Sequence, residues 1–201
     1  WATRKEAALR KEMDDPSDER KQLRERFKTL EHLHRRKRML DHASELVVAA
    51  AKTGVVVNIK HGQFLAPENM AKPVKKIEDS GNDRIIVTER GYTFGYNDLV
   101  VDPRSFYLLN QIGYPVVFDA GHSIRKYGIP SKDPRGSARQ FLSTLARSAV
   151  AAGVDGFFIE SHPNPPEALC DAASQYALDD LESFMRPLID IHNLVRSQTA
   201  L

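Results

Sequence analysis

Residues 85 to 98 read IIVTERGYTFGYND: four apolar or β-branched residues run straight into Glu89, Arg90 and Gly91, and Tyr92, Phe94 and Tyr96 then cluster around Gly95. The run has the composition of a strand buried on both faces, as in a parallel sheet. Neighbours on a strand point to opposite faces, so Glu89 and Arg90 are expected not to pair with each other, and one of them faces the interior. Arg90 is therefore read as a ligand for an anion. Gly91 and Gly95 let the chain turn, and the three aromatic residues are expected to pack the loop.

The same grammar repeats on either side. VVVNIK (55 to 60), VVFDA (116 to 120) and GFFIES (156 to 161) are further short apolar strands. Helical segments separate them: one around 67 to 80 before Gly81-Asn82, SFYLLNQI opened by Asp102 and Pro103 and stopped by Gly113, and ARQFLSTLARSAVAAG at 138 to 153. ASELVVAAAK (43 to 52), ending at Gly54, leads in; a last helix from Leu178 to Leu194, with a kink expected at Pro187, closes the series. Strands alternating with helices predict an α/β fold with a parallel sheet covered on both sides. No Gly-x-Gly-x-x-Gly or Walker loop succeeds any strand, so a nucleotide-binding open sheet loses ground.

Each strand leads instead into a polar or charged residue: Lys60 after the first, Glu89 and Arg90 after the second, His122 after the third, Glu160 after the fourth. In a closed (β/α)₈ barrel the strand C-terminal ends share one mouth, so four ionisable groups delivered at the same end form a coherent set. Taken singly each has a plainer reading. Lys60 could snorkel, His122 could be a hydrogen-bonded structural histidine, and Asp171 is an ordinary loop acid. Glu160 is harder to dismiss, because a carboxylate in so apolar a strand needs a cation, a metal or a donor. Together, Lys60 and Arg90 make a cationic seat for phosphate or carboxylate. His122, Glu160 and Asp171 offer N and O ligands suited to a divalent metal or to orienting a water.

Composition bounds the rest. With 201 residues, 41% hydrophobic and 28% charged, the chain is expected to be one globular domain, or one with an appendage. The single cysteine, Cys170, excludes an internal disulfide and fits a reducing compartment. No apolar run approaches the roughly 18 residues of a membrane span and no secretory start is seen, so a cytoplasmic protein without a membrane partner is expected. The chain starts at Trp1, which reads as a mature form, a fragment or an excised piece.

The net charge of +2 hides an asymmetry: residues 1 to 39 hold 13 of the 29 Lys and Arg and 8 of the 27 Asp and Glu. They are read as a basic, charged helical extension, and 40 to 201 as the folded unit. Leu23, Phe27, Leu30 and Leu33 give residues 20 to 39 a narrow apolar helical stripe, with a break at Asp14–Ser17 where Asp15 or Ser17 would cap. The run HLHRRKRM (32 to 39) reads first as a solvated helix face, with contact to nucleic acid or an acidic partner the less favoured alternative. His32 and His34 fall on different helix faces and are not expected to be a metal pair.

AAAKTGVVVNIKHGQF (49 to 64), ERGYTFGYNDLVVDPRSF (89 to 106), PVVFDAGH (115 to 122), LARSAVAAGVDGFFIESHPNP (145 to 165) and CDAASQYALDDLESF (170 to 184) resemble a known family. It is that of 3-deoxy-D-manno-octulosonate 8-phosphate synthase, also called 2-dehydro-3-deoxyphosphooctonate aldolase, and the likeness covers residues 40 to 195 against the second half of the barrel. The related heptulosonate phosphate synthases are a more distant match. The resemblance implies a (β/α)₈ barrel, a cytoplasmic and self-associating transferase of sugar-acid biosynthesis that condenses phosphoenolpyruvate with arabinose 5-phosphate. It implies that Lys60 and Arg90 hold the phosphoenolpyruvate phosphate and carboxylate with Gln63 nearby. It also implies that His122, Glu160 and Asp171 match the three ligands that metal-dependent members add to a cysteine, His122 and Glu160 also serving catalysis.

The departures matter as much. The family's first four strands, with the cysteine or asparagine, a substrate-contacting lysine and the segment that grips the sugar phosphate, have no counterpart, and the charged stretch stands in their place. Arg125 stands where a glutamine is expected, and KDPRGSAR (132 to 139) replaces a glycine-rich loop. Two readings result: a synthase-like enzyme that is incomplete as a single chain, or a non-catalytic half-barrel serving as a structural or interaction subunit. Four βα units do not close such a barrel, so self-association or a larger assembly is expected to cover its interior and edges.

Overall fold

The computed structural model describes residues 19–96 and 98–199. The first element, α1 (Glu19–Lys52), is a single helix of 34 residues. It joins the helical segments 20–39 and 43–52 into one, because no glycine or proline lies between Glu19 and Lys52 and Met39, Leu40 and Ala43 favour helix around the weaker Asp41 and His42. Its C-terminal turns pack into the body of the protein: Ala51 is buried and Val47 lies against the core. The Asn82 amide donates to the Ala51 and Val55 carbonyls at 3.0 and 2.9 Å. Gly54, at φ +71°, takes the left-handed conformation that ends the helix. The break expected at Asp14–Ser17 lies outside the described residues, as do the side chains of Leu23, His34 and positions 36–41.

The alternation then runs as β1 (Val57–Lys60), a 3₁₀ turn (Pro67–Met70) leading into α2 (Ala71–Asp79), β2 (Ile85–Glu89), α3 (Pro103–Asn110), β3 (Val116–Asp119), α4 (Leu142–Ala151) and β4 (Gly156–Phe158). A small pair, β5 (Ser161–His162) with β6 (Tyr176–Ala177), precedes the last helix, α5 (Leu181–Thr199), which contains Pro187 without ending there. Asp102 caps α3 as expected, its side chain accepting from Arg104 N–H, with Pro103 in the first turn.

The four main strands form one parallel sheet in sequence order, β1-β2-β3-β4, and β5 pairs with β6 in parallel. The register aligns Lys60 with Thr88, Thr88 with Val117, and Asp119 with Phe158. Strand alternation then sorts the side chains. Val57, Ile59, Ile85, Val87, Val116, Phe118 and Phe157 share one face and belong to or pack on the apolar core, together with Val74 and Ile77 of α2, Phe106 and Leu109 of α3, Ala146, Ala149 and Val150 of α4 and Leu188 of α5. The spacing of these helical residues is that of one buried stripe per helix. Phe118 meets Phe106 and Phe157 edge-on, at centroid distances of 5.6 and 6.1 Å.

Asn58, Lys60, Ile86, Thr88, Val117, Asp119 and Phe158 share the opposite face. Ile86, Val117 and Phe158 are only half-buried there, so among the described residues the sheet has one helix-covered face rather than the two expected. The site is built on the second face. No helix among the described residues is long and apolar enough to cross a membrane.

Candidate active site

Lys60 ends β1 on the open face, and its ammonium donates to Asp119 Oδ2 at 2.7 Å while lying 3.8 Å above the Phe158 ring. Asp119 ends β3 with no exposure to solvent. Beyond it the chain folds into a 3₁₀ turn, His122–Ile124. The carboxylate accepts the His122 backbone N–H at 2.9 Å and meets ring Nδ1 at 2.9–3.0 Å. The spacing Asp-x-x-His thus lets one carboxylate fix both the turn and the ring. Burial alone would raise the Asp119 carboxyl, but the hydrogen bonds from His122 and Lys60 outweigh it and hold it below the usual carboxylate range.

With Nδ1 turned to Asp119, His122 Nε2 faces Glu160 Oε1 at 3.8 Å and Asp171 Oδ2 at 4.0 Å. Glu160 lies between β4 and β5, and its second oxygen accepts from Gln175 Nε2 at 3.2 Å. Asp171 sits in the left-handed region at φ +47°, and its backbone carbonyl accepts the N–H groups of Ser174 and Gln175. One ligand atom from each of His122, Glu160 and Asp171 falls within 4.8 Å of the others. One ring nitrogen and two carboxylates thus converge on a shared space. The donor set, with a carboxylate behind the imidazole, fits a divalent metal.

The anion-binding candidates form a second group. Arg90 and Gln63 both donate to the Tyr127 hydroxyl, Arg90 Nη2 at 3.2 Å. The Gln63 carbonyl accepts Thr93 N–H at 3.2 Å, which ties the loop after β1 to the loop after β2. Glu89 and Arg90 do not pair. Glu89 is fully buried on the helix-covered side and accepts Gly91 N–H at 2.6 Å and the Tyr92 hydroxyl at 2.9 Å. Burial, and then the neighbouring Glu89 charge, push the Tyr92 phenol well above its ordinary value. Of the three loop aromatics only Tyr92 packs, against the buried His61 ring at 4.4 Å. Phe94 and Tyr96 stand in solvent at 85% and 74% exposure, which corrects the expectation that all three fill the loop.

Gly91 carries this turn at φ +89°, and a Cβ there would lie 3.2 Å from Leu99 Cβ. Gly91→Ala is expected to cost about 1–3 kcal/mol, from left-handed strain plus the contact. The shift of the urea midpoint measures it, and an unchanged midpoint would show that the turn relaxes freely.

The structure thus gathers Lys60 and His122 around Asp119, with Glu160 and Asp171 beyond the His122 ring, and Gln63 and Arg90 around Tyr127; among the described residues no hydrogen bond or ion pair joins the two groups. Sequence reasoning missed both organisers. Asp119 carried a usable signal, lying three residues before His122 at a strand end, whereas Tyr127 sits in an aperiodic loop that offers none.

Fold and site together define a parallel α/β protein that gathers charged and polar groups at the carboxyl ends of adjacent strands and in the loops beyond them. The profile of the DAHP synthetase I family matches residues 40–197, and the chain belongs to that family. It is similar to proteins named 2-dehydro-3-deoxyphosphooctonate aldolase, bearing out the resemblance read from its motifs. That of Syntrophotalea carbinolica is 48% identical over 156 residues, 78% of this chain and 56% of the relative. That of Trichlorobacter lovleyi is 51% identical over 153 residues, 76% and 56%. That of Protochlamydia amoebophila is 46% identical over 156 residues, 77% and 56%. The chain spans about half the length of the curated relatives it matches.

Proposed function

We propose that residues 40–199 form the part of a synthase barrel that holds phosphoenolpyruvate and a divalent cation, for condensation with arabinose 5-phosphate in the cytoplasm. The observation that carries this reading is Asp119, buried at the end of β3, joining Lys60 to a His122 ring whose free nitrogen faces Glu160 and Asp171. Lys60 and Arg90, with Gln63, bind the phosphate and carboxylate of phosphoenolpyruvate. His122, Glu160 and Asp171 hold the cation, which when bound supplies a Lewis acid for the aldehyde oxygen or for water. Carbon 3 of phosphoenolpyruvate bonds the aldehyde carbon as its carbon–carbon double bond opens, and water, oriented by His122 and Glu160, adds at carbon 2; the proton that water loses balances the one taken up by the aldehyde oxygen. The bond between carbon 2 and the bridging oxygen then breaks, the carbon-2 hydroxyl loses its proton to give the ketone, and inorganic phosphate leaves with the bridging oxygen.

The family's segment that grips the sugar phosphate has no counterpart in this sequence, and β1 and β4 end the sheet without further partners among the described residues. The reading therefore assigns the remaining barrel wall to a second copy or another polypeptide segment, with residues 1–39 as an extension outside it. The 201-residue chain by itself is expected to bind phosphoenolpyruvate weakly and not to turn over. Calorimetric titration of phosphoenolpyruvate should show Arg90→Ala weakening binding by about tenfold, the loss of one charge-assisted contact worth roughly 1.4 kcal/mol. Unchanged binding in the variant removes Arg90 from the anion seat, and turnover by the chain alone contradicts its incompleteness. The two unpaired sheet edges favour one other reading, a non-catalytic subunit of an assembly, and absence of any phosphoenolpyruvate binding would select it.

A further inference from the structure

Asp171 has two neighbours competing for one carboxylate. Its Oδ2 lies 4.0 Å from His122 Nε2, inside the three-ligand cluster, and its Oδ1 lies 3.7 Å from Arg125 Nε. Arg125 is held firmly in that position. It comes directly after the His122–Ile124 turn, its backbone N–H bonds to the His122 carbonyl at 3.2 Å, it bridges to Ser137, and its side chain is 14% exposed. Its Nη1 is buried without a hydrogen-bond partner, so no second acceptor draws the guanidinium away from Asp171 on that side. Gly136 keeps the space open, since a Cβ there would come 3.6 Å from Nη1 and 2.9 Å from the Pro130 carbonyl.

The other cations nearby are engaged elsewhere. Lys60 is bound to Asp119, and Arg139 donates to the backbone carbonyls of Ala173 and Gln175. Arg125 is therefore the fixed positive charge that bears on the cluster. A guanidinium is a permanent cation in proteins. In a half-buried site its repulsion of a second cation is only partly screened.

We propose that Arg125 is a resident cation that competes with a divalent ion for Asp171, so that the His122–Glu160–Asp171 cluster binds metal more weakly, and releases it more readily, than three such ligands otherwise would. This rests on the reading of that cluster as a cation site. It makes Arg125 a residue that sets metal affinity rather than a catalytic residue, and it predicts a gain of binding on substitution, which structural damage does not produce.

The test is titration of the full chain with Mn²⁺ at neutral pH, followed by electron paramagnetic resonance of the free ion, with thermal melting of each variant as the check of folding. Arg125→Met is expected to tighten Mn²⁺ binding by about tenfold or more by removing the like charge, and Arg125→Lys, which keeps the charge, to stay close to the unaltered chain. Adding Asp171→Asn to Arg125→Met should abolish the gain. Should Arg125→Met fail to fold, Arg125→Gln carries the same expectation. Equal or weaker Mn²⁺ binding in the folded neutral variant overturns the proposal and leaves the cation site standing. Absence of binding in every form overturns both, while Arg90-dependent binding of phosphoenolpyruvate is measured independently of either.

Discussion

Asp119→Ala is expected to lower the unfolding free energy by about 3 kcal/mol or more, the usual consequence of removing one partner from a buried ion pair. Asp119 has no solvent exposure and serves the Lys60 ammonium, the His122 ring and the His122 backbone N–H at once. Lys60 keeps 34% of its side-chain exposure, so water relieves part of its loss, whereas His122, at 18%, is left with a buried donor unpaired. Urea unfolding measures the change, and a loss below about 1 kcal/mol would show that the network contributes little. Metal affinity should fall by about 10–100-fold in the same variant, because the imidazole loses the carboxylate that orients it.

The pH dependence has a definite sign. The folded-state pKa of Asp119 is depressed, so its contribution is fully present above the unfolded carboxyl value of about 3.9 and is lost as pH falls through the lower folded value. The stability gap between the unaltered chain and Asp119→Asn should therefore be widest near neutrality and close below about pH 4. A gap that widens on acidification would mean that the carboxylate is not stabilised by its partners.

Phe118→Ala is the second large effect, expected to cost about 3–5 kcal/mol. Phe118 is fully buried in β3, between β2 and β4, and contacts Phe106 of α3 and Phe157 of β4 edge-on. Its removal opens a cavity where the sheet meets its helices and takes away two aromatic contacts. Such a loss is a large part of the roughly 5–15 kcal/mol that stabilises a typical domain. Phe118→Leu, which fills more of the space, should lose distinctly less. Equal losses in the two variants would point to a specific need for the ring rather than to volume. Because Asp119 is the next residue, circular dichroism and Mn²⁺ titration together would show whether the site fails before the fold does.

Strand positions were legible because β-branched runs such as IIVT and VVFDA are bounded by turn residues, and the α3 start because Asp102-Pro103 is a local chemical signal. The continuity of α1 was less legible: a change in charge density near residue 40 looks like a boundary, yet charge does not stop a helix when no glycine or proline intervenes. At the site, His122, Glu160 and Asp171 could be nominated because ionisable residues come after strands or sit in the succeeding loop, and the structure places their ligand atoms together. The groups that act through others were passed over for different reasons. Asp119 offered a local signal, three residues before His122, but lies within an apolar strand run, whereas Tyr127 meets Arg90 only because two loops 37 residues apart converge. The second kind of contact is set by tertiary folding and leaves no period in the chain.

The sharing of Asp119 between Lys60 and His122 has a thermodynamic corollary. An anion that takes Lys60 leaves the carboxylate more fully to the imidazole, and a cation captured on the far side of that imidazole draws the same carboxylate toward it and loosens Lys60. On the proposed reading, occupancy on one side is linked to occupancy on the other, and the linkage is reciprocal. Whatever factor a bound cation contributes to anion affinity, the anion must return to the cation, so one coupling constant, measured from either end, describes both.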